Sequence, residues 1–338
     1  MDATDARDRL DTLAAGFMEA KVLLTGAELH LFDHLTGAGA TAAGVAQTIG
    51  ATVRGVEILL DALVALEVID KLGDRYRNRP AYAPLLVGDG DGQFAALLRH
   101  RAHCFRGWAH LEEKIRGEAD RDDDRSVIRD PAANRSFIRA MAAVSGAHAA
   151  ALVDHLDLDG VHTVGDLGGG PGSYLLAMVA RQPEIEPYLI DLPLTLVTTR
   201  ALLAEAAAGQ AIHTVAWDFY HDPEVPTALP PFDLLFLSQV VHAESSARNA
   251  DLFARLAPLL TPGGRLVVHE TTLEPDHTRP REATLFAVNM VAMTDSGRVY
   301  TAGEIAAWGE AAGLVCARWD HLGPRSCLIT LRRPKATR

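Results

Sequence analysis

Short apolar segments alternate with segments of helical periodicity from residue 161 to the end of the chain. The apolar segments read "TVGDL", "PYLID", "FDLLFLS" and "RLVVHET", and the helical ones include "SYLLAMVARQ", "TLVTTRALLAEAAA" and "ARNADLFARLAPLL". This alternation is typical of βαβ units, in which a helix connects two parallel strands. The sequence therefore predicts an α/β fold whose sheet is mostly parallel.

The first 100 residues follow a different pattern. Apolar residues recur at helical spacing over residues 5–35, and two more helices are expected after them, the second over residues 53–66. The segment "VIDKLGDRYRN" then alternates around Gly73 and Asp74, as a β-hairpin does. The order of helix, turn, helix and hairpin predicts a winged helix.

A winged helix raises the question of DNA binding. The second helix, which would enter the groove, carries Arg54 but also Glu57 and Asp61. The formal net charge of the chain is −12, whereas affinity for nucleic acid comes mainly from Lys and Arg. We therefore expect no nucleic-acid partner, and we interpret the apolar N-terminal helices as a structural or dimerisation module.

The segment "GDLGGGPGS" lies at the end of the first predicted strand of the C-terminal part. Glycine adopts positive φ without strain and lets a ligand lie against the backbone, and open α/β sheets bind ligands at this place.

The motif indicates which ligand this is. The dinucleotide pattern G-x-G-x-x-G would need glycine or alanine at Ser173, and no Gly-Lys-Ser/Thr phosphate loop follows. The segment instead fits D-x-G-x-G-x-G, formed by Asp166, Gly168, Gly170 and Gly172. A carboxylate is unfavourable beside a pyrophosphate and favourable beside an ammonium. These residues therefore indicate S-adenosylmethionine, which has an ammonium and no phosphate.

Two later segments add to this prediction. The second predicted strand, "PYLID", ends at Asp191, where a carboxylate can accept hydrogen bonds from both ribose hydroxyls of an adenosine. The segment "VAWDFY" then provides Asp218 as an acceptor for an exocyclic amine and Phe219 as a ring that stacks on a purine. The glycine segment, Asp191 and the Asp218-Phe219 pair occur in the order that an adenosyl site requires.

With these motifs the chain resembles the dimeric, winged-helix, S-adenosylmethionine-dependent O-methyltransferases that act on small molecules in plant phenolic metabolism and in bacterial antibiotic and pigment pathways. The resemblance extends through "LLTGAELHLFDHL", "FIRAM", "DLP", "LSQVVH", "LAPLLTPGGRLVVHE" and "GRVYTAGEIAAWGEAAGL". It implies a class I methyltransferase sheet of seven strands, a Rossmann-like arrangement. It also implies a dimerisation domain over residues 1–100, linker helices over 101–150 that contribute to the substrate pocket, and a catalytic domain over 151–338. Leu192 and Ser238 are further cofactor contacts implied by the resemblance, and the expected partners are a small-molecule acceptor and a second copy of the chain.

The resemblance also implies that His242 is the catalytic base. His242 follows "FDLLFLSQVV" and so lies at the carboxyl end of a predicted strand, and an imidazole that titrates near neutral pH can take a phenolic proton. Many relatives have Asp directly after this His, whereas this chain has Ala243. The acid that orients His242 is then expected among Glu244, Glu270 and Asp295, and no metal site is predicted.

Residues of the predicted linker helices and of a later helix are expected to line the substrate pocket, as the resemblance implies. They are Phe105, Trp108, Phe137, Met141, Asn289, Met290 and Met293. An aromatic and methionine-rich lining favours a flat, apolar acceptor. The leading hypothesis is methylation of a phenolic or enolic hydroxyl. Methyl transfer to carbon or nitrogen on the same fold stays open as an alternative, and a DNA-binding regulator and a dehydrogenase are disfavoured.

The location of the protein is inferred from its cysteines and its N-terminal segment. Cys104, Cys316 and Cys327 have neither disulfide nor zinc spacing. The N-terminal segment "MDATDARDRL" is acidic and lacks the basic and apolar regions of a signal peptide, and no apolar run approaches membrane-spanning length. We therefore expect a cytoplasmic protein with no membrane partner.

Overall fold

The computed structural model describes residues 2–88, 94–118, 126–323 and 326–335. The chain forms two compact units, Met1–Phe105 and Arg106–Arg338. The boundary between them lies near the predicted end of the first domain at residue 100. None of the helices in the described ranges is both long enough and apolar enough to span a membrane.

The N-terminal unit combines helices with a small antiparallel sheet of three strands, in the order Ala40–Thr41, Arg75–Asn78 and Ile69–Leu72. Its elements are α1 (Ala3–Ala15), α2 (Phe17–Glu28), a 3-10 turn (Leu31–Leu35), β1 (Ala40–Thr41), α3 (Ala42–Ile49), α4 (Val53–Ala65), β2 (Ile69–Leu72), β3 (Arg75–Asn78), α5 (Ala83–Leu86) and most of α6 (Phe94–Ala109). Helix α4 begins where Thr52 Oγ1 accepts a hydrogen bond from the Gly55 amide at 3.2 Å. It ends close to the predicted residue 66, and β2 and β3 meet at Gly73, whose φ is +64°. The predicted order of helices and hairpin is therefore present.

The second unit alternates strands and helices, as the sequence predicts. Its elements are α7 (Leu111–Arg116), α8 (Ser126–Arg129), α9 (Pro131–Gly146), α10 (Ala149–Val153), β4 (Thr163–Leu167), α11 (Ser173–Arg181), β5 (Glu186–Asp191), α12 (Pro193–Glu205), β6 (His213–Ala216), β7 (Phe232–Ser238), α13 (Ser246–Leu256), β8 (Leu260–Leu273), α14 (Arg281–Met293), β9 (Tyr300–Thr301), α15 (Ala302–Ala311), β10 (Val315–His321) and β11 (Ser326–Arg332). Short 3-10 turns at Gly209–Ala211, Val241–Ala243 and Ala257–Leu259 connect some of them.

The strand order of the large sheet determines where a ligand can bind. Seven strands follow one another in the order β10-β11-β8-β7-β4-β5-β6, and the two-residue β9 pairs with the end of β8 as an eighth. Strands β4 to β8 pair with one another in parallel, whereas β11 pairs antiparallel with both β8 and β10. The chain proceeds from β4 outward to β5 and β6, and then returns to place β7 on the other side of β4. The carboxyl ends of β4 and β7 therefore form the switch point at which open α/β sheets bind ligands.

The amino-terminal edge of this sheet is joined by one carboxylate. Asp233 Oδ2 accepts hydrogen bonds from the amides of His162 and Thr163 at 3.0 and 3.2 Å, and Oδ1 accepts one from Thr261 Oγ1 at 2.9 Å. Asp233 thereby connects the starts of three neighbouring strands.

We expect Asp233→Ala to lower the free energy of unfolding by about 1–3 kcal/mol, because three donors at the sheet edge lose their acceptor. Urea unfolding followed by circular dichroism measures the change. The control is Asp251→Ala, which removes an exposed ion pair with Arg255 on α13 and is expected to change the same quantity by about 0.5 kcal/mol or less. Equal effects of the two substitutions would contradict the role assigned to Asp233.

Candidate active site

The glycine turn, residues 168–172, connects β4 to α11 at the switch point. Gly168, Gly170 and Gly172 have φ of +69°, +51° and +81°, which side chains other than glycine rarely adopt. A Cβ on Gly168 would lie 2.7 Å from Val240 Cγ2. A Cβ on Gly170 would meet no heavy atom closer than 3.9 Å. The turn therefore leaves bare backbone with open space at Gly170, as a ligand in contact with the main chain requires.

Asp191 ends β5 beside this turn. Its Oδ2 accepts a hydrogen bond from the Gly170 amide at 2.9 Å, and its Oδ1 accepts one from the Leu192 amide at 2.7 Å. A carboxylate has about four acceptor positions, so both oxygens retain capacity for ligand hydroxyls. Burial raises the pKa of Asp191 to about 6, although the two backbone amides and Thr195 oppose that rise. The structure thus places Asp191 at the glycine turn, as the predicted ribose contact requires.

Asp166 lies on β4, two residues before the glycine turn, and is more deeply buried than Asp191. Its side chain is 1 % exposed, and neither carboxylate oxygen has a hydrogen-bond partner among the described residues. Burial raises the pKa of Asp166 well above its usual value, and the nearby Asp191 carboxylate raises it further. A buried carboxylate without a partner is costly unless a cation or donor completes it. The residues present therefore fit a ligand with an ammonium group.

The predicted adenine contacts follow β6. A Cβ on Gly168 would lie 3.7 Å from Phe219 Cζ, so the Phe219 ring borders the glycine turn. Asp218 Oδ1 accepts hydrogen bonds from the amides of Tyr220 and His221 at 3.3 and 3.2 Å, and His221 Nδ1 lies 2.9 Å away. The Asp218 carboxylate is thus fixed by a local turn and by His221. His221 Nδ1 also lies 3.0 Å from Oδ2, which leaves Oδ2 one further acceptor position for another donor.

His242 and Glu270 form a pair at the other side of the switch point. His242 lies in the 3-10 turn after β7, and its Nδ1 is 2.8 Å from Glu270 Oε1 on β8. The side chain of Glu270 is fully buried and that of His242 is 13 % exposed. Because Oε1 also accepts the Thr271 amide at 2.9 Å, it acts as an acceptor, so Nδ1 of His242 carries the proton. The lone pair of Nε2 is then available to accept a proton from a ligand.

Of the acids expected to orient His242, Glu244 is engaged elsewhere. Its carboxylate lies 3.1 Å from Arg248 Nη1 and 3.2 Å from Ser296 Oγ. Glu270 is therefore the carboxylate that the structure pairs with His242.

Ser238, a predicted cofactor contact, ends β7 and is bound to a second histidine. Its Oγ lies 2.8 Å from His269 Nδ1, and the ring of Tyr174 packs at an angle against His269 with 6.3 Å between centroids. Burial lowers the pKa of His269 to about 4, so its imidazole is neutral at physiological pH. No pattern in the sequence singles out His269 or Tyr174.

Two of the predicted substrate residues contact each other. Trp108 Nε1 donates a hydrogen bond to Asn289 Oδ1 at 2.8 Å, although 181 positions separate them. Met290, one residue later on α14, is 5 % exposed and packs with Leu273 and Val299 in a small core. The structure therefore places Asn289 and Met290 on different faces of α14.

The other predicted substrate residues have varied surroundings. Helix α9 carries Phe137 and Met141, and Ile138 between them approaches the glycine turn to 4.0 Å of a Cβ built on Gly170. Met293 lies at the end of α14 with its Sδ 2.6 Å from a Cβ built on Gly107. Phe105 packs against the core of the N-terminal unit, with Lys21 Nζ 5.2 Å from its ring centroid.

Two residues beside His242 were missed by the sequence reasoning. The Phe286 ring meets the His242 ring edge to face, with 4.9 Å between centroids. Phe286 lies three and seven positions before Asn289 and Met293, so helical periodicity could have indicated it. A Cβ on Gly297 would lie 2.5 Å from the His242 carbonyl oxygen, and a contact of that kind leaves no signal in a single sequence.

In the ranges that the structure describes, no group of three or more His, Cys, Asp or Glu side chains could hold a metal ion.

Comparisons with known proteins cover nearly the whole chain. Residues 125–315 match the family profile described as the O-methyltransferase domain, and residues 12–87 match the O-methyltransferase dimerisation domain. The 3-hydroxy-5-methyl-1-naphthoate 3-O-methyltransferase of Streptomyces sahachiroi is 30% identical over 309 residues, which are 90% of this chain and 88% of the relative. The tetracenomycin polyketide synthesis 8-O-methyl transferase TcmO of Streptomyces glaucescens is 28% identical over 96% of both chains.

Solved structures agree with these matches. The structure of the mitomycin 7-O-methyltransferase MmcR superimposes with a TM-score of 0.84 at 25% identity and covers 98% of each chain. A structure of PigF with SAH gives a TM-score of 0.86 at 25% identity and covers 98% of this chain and 100% of PigF.

Proposed function

The chain belongs to the family of S-adenosylmethionine-dependent O-methyltransferases, and we propose that it methylates a hydroxyl of a small aromatic or enolic metabolite with His242 as the general base. The observation that carries the assignment of the base is the His242–Glu270 pair, 2.8 Å apart at the switch point that also holds the glycine turn. No other predicted site residue combines a titratable nitrogen, an orienting carboxylate and this position.

In the proposed mechanism the chain orients the acceptor and removes its proton. Bound S-adenosylmethionine supplies a methyl group that is already activated for attack by oxygen. His242 Nε2 takes the proton of the acceptor hydroxyl as the oxygen attacks, because Nδ1 is held in its protonated form by Glu270. The imidazolium that results lies beside the buried Glu270 carboxylate, which stabilises the positive charge. Phe286 packs against the His242 ring and limits its rotation.

We assign the cofactor contacts to residues around the glycine turn. Asp191 would accept the ribose hydroxyls, and Asp166, with its two unpartnered oxygens, would face the ammonium group. Asp218 and Phe219 would contact the adenine. The backbone of the turn at Gly168 and Gly170, with Leu192 and Ser238 at the ends of the neighbouring strands, would complete the site.

The acceptor that we propose is a phenol of a fused-ring metabolite. The relatives in the two Streptomyces species are described as acting on a hydroxynaphthoate and in tetracenomycin polyketide synthesis. A flat acceptor also suits the aromatic and methionine side chains expected around the pocket, such as Trp108 and Met293. Methyl transfer to carbon or nitrogen is the alternative outcome of the test below.

We propose that the N-terminal unit forms a homodimer in the cytoplasm. Helix α1 has no buried residue, and Leu10, Leu13 and Phe17 are each more than half exposed, which is unusual for a monomer unless a partner covers them. DNA is a poorer ligand for this unit because Lys71 in the hairpin and Arg79 directly after it already bind carboxylates of the same unit. A monomeric mass in sedimentation equilibrium would contradict the dimer.

The function is tested by incubating the protein with S-adenosylmethionine and a panel of naphthols, hydroxynaphthoic acids, hydroxyanthraquinones and indoles. We expect mass spectrometry to detect the gain of one methyl group on at least one phenol, and NMR to place that methyl group on oxygen. S-Adenosylhomocysteine binding is measured separately by calorimetry. Methylation only on carbon or nitrogen, or binding without methylation of any phenol, would overturn the proposed reaction.

A further inference from the structure

The hydrogen bond between Trp108 and Asn289 fixes the orientation of the Asn289 amide. An indole N–H can only donate a hydrogen bond, so the atom of Asn289 that lies 2.8 Å from Trp108 Nε1 must be the carbonyl oxygen. The amide NH2 group therefore points away from Trp108. Among the described residues the NH2 group has no hydrogen-bond partner, and Asn289 is only partly buried. Two N–H donors are thus available to a ligand.

These donors lie on the same helix face as the contact to the base. Phe286, Asn289 and Met293 occupy positions i, i+3 and i+7 of α14, which share one face of a helix. The ring of Phe286 is 4.9 Å from that of His242 between centroids, and Asn289 follows about 5 Å farther along the helix axis. The separation between Asn289 and the His242 ring along this helix face is comparable with the size of a fused-ring phenol whose hydroxyl meets His242.

The position of Trp108 is itself fixed by close packing. Gly107, the preceding residue, approaches α14 so closely that a Cβ would lie 2.6 Å from Met293 Sδ and 3.1 Å from the Ala292 carbonyl oxygen. The end of α6 therefore cannot move toward α14, and Trp108 is held beside Asn289. A donor that is oriented before the ligand arrives loses little freedom on binding.

We propose that Trp108 and Asn289 act as a specificity pair that selects acceptors with a second oxygen, a carbonyl or carboxylate, in addition to the hydroxyl that is methylated. This inference rests on the proposed function, because it names the class of acceptor for the same site. An acceptor with a carbonyl oxygen pairs with the Asn289 N–H groups. An acceptor with an N–H group at that position meets two donors and leaves them unpaired.

The test compares three series of neutral naphthols that carry an acetyl, an ethyl or an amino substituent at each available ring position. The acetyl and ethyl groups have similar size and differ in the oxygen. We expect the best acetylnaphthol to exceed its ethyl and amino counterparts in kcat/KM by about tenfold or more. The difference is expected mainly in KM, because the hydrogen bond is distant from the reacting atoms.

Two substitutions separate the roles of the pair. Asn289→Asp still accepts from Trp108 but presents no N–H, and its charge repels a carbonyl oxygen, so the preference for the acetyl series is expected to disappear or reverse. Trp108→Phe removes the donor that fixes the amide, and the preference over the amino series is expected to fall toward unity. The matched control is Trp319→Phe, since Trp319 is half exposed on β10, and this change is expected to leave the preference unaltered.

Thermal unfolding and the affinity for S-adenosylhomocysteine are measured for each variant, and these measurements identify any variant that fails to fold. Equal activity on the acetyl and ethyl series, or a preference that survives in Asn289→Asp, would overturn the specificity pair while methyl transfer itself stands. If S-adenosylhomocysteine binds but no naphthol in any series is methylated, the specificity pair falls together with the proposed O-methylation of phenols. A preference that is lost in both variants and kept in Trp319→Phe supports the pair.

Discussion

Replacing His242 by alanine is expected to slow methyl transfer to a phenol by about 10²–10⁴-fold, the range that a general base contributes. The affinity for S-adenosylhomocysteine should not change, because the cofactor contacts are assigned to the glycine turn and Asp191. The loss should appear in kcat, because proton removal accompanies the chemical step. Single-turnover kinetics with S-adenosylmethionine in excess, together with calorimetry on S-adenosylhomocysteine, measure the two quantities.

The acidity of the acceptor provides the control for this result. A nitro-substituted phenol is ionised near neutral pH and needs no base, so its methylation should be almost insensitive to His242→Ala. Added imidazole should restore part of the activity of His242→Ala toward the less acidic phenol, whereas a merely structural role would give no rescue. If the loss were the same for both phenols, His242 would not be the base.

Substitution of Glu270 tests the assignment of His242 as the base through the carboxylate that orients it. Glu270→Gln keeps an oxygen that accepts from the Thr271 amide and from His242 Nδ1, but it removes the negative charge that stabilises the imidazolium. We expect a lower kcat and an altered pH profile, with an unchanged KM for S-adenosylmethionine. Glu244→Gln is the matched control, since Glu244 binds Arg248 and Ser296 and not His242.

The fold could be predicted because the patterns that indicate its elements depend on residues that are close together in the sequence. The alternation of strands and helices after residue 161, the hairpin at Gly73 and the glycine turn each depend on neighbouring residues, and the structure contains all of them. The predicted family, α/β fold class and cofactor are confirmed by the comparisons. The division into domains and the individual site residues stay predictions.

The pairings in the site could not be predicted, since they depend on register and crossover between distant elements. Glu270 could not be distinguished from Glu244 until the parallel pairing of β7 with β8 placed the end of β8 beside His242. The contact of Trp108 with Asn289 joins α6 to α14, and no local pattern encodes it. The local turn that fixes Asp218 depends on His221, to which the sequence reasoning gave no role.

Asp191→Asn is expected to weaken S-adenosylhomocysteine binding by about 10²-fold, equivalent to about 3 kcal/mol. The asparagine can accept only through one oxygen, and its NH2 group would face the amide of Gly170 or Leu192, which are both donors. The ribose hydroxyls would then lose at least one acceptor. Calorimetry measures the affinity, and Asp251→Asn on the exposed face of α13 is the matched control. Unchanged binding would remove Asp191 from the site.

The stability of Asp191→Asn without ligand reflects two opposed effects. Burial raises the pKa of Asp191 to about 6, so the ionised carboxylate is less favourable in the folded protein than in the unfolded chain. Removing that charge favours the folded protein, whereas an NH2 group that faces the amide of Gly170 or Leu192 disfavours it by about 1–3 kcal/mol. Without ligand we therefore expect little change in the thermal unfolding temperature. A large fall in that temperature would mean that the lost affinity reflects misfolding, whereas lost affinity at an unchanged temperature assigns the effect to ligand contact.

The same pKa predicts how cofactor affinity depends on pH. In the folded protein Asp191 takes up a proton as the pH falls through about 6, while in the unfolded chain it does so only near the usual value of 3.8. This group therefore adds to the stability of the ligand-free protein as the pH falls from about 6 to about 4.

The ionised form of Asp191 is the one that accepts two ribose hydroxyls, so the affinity for S-adenosylhomocysteine should decrease below about pH 6 by up to about tenfold per pH unit. Asp166, whose pKa is also raised, acts in the same direction, and Asp191→Asn should therefore retain only a shallower dependence. An affinity that stays constant between about pH 8 and pH 5 would show that neither carboxylate needs its charge to hold the ligand.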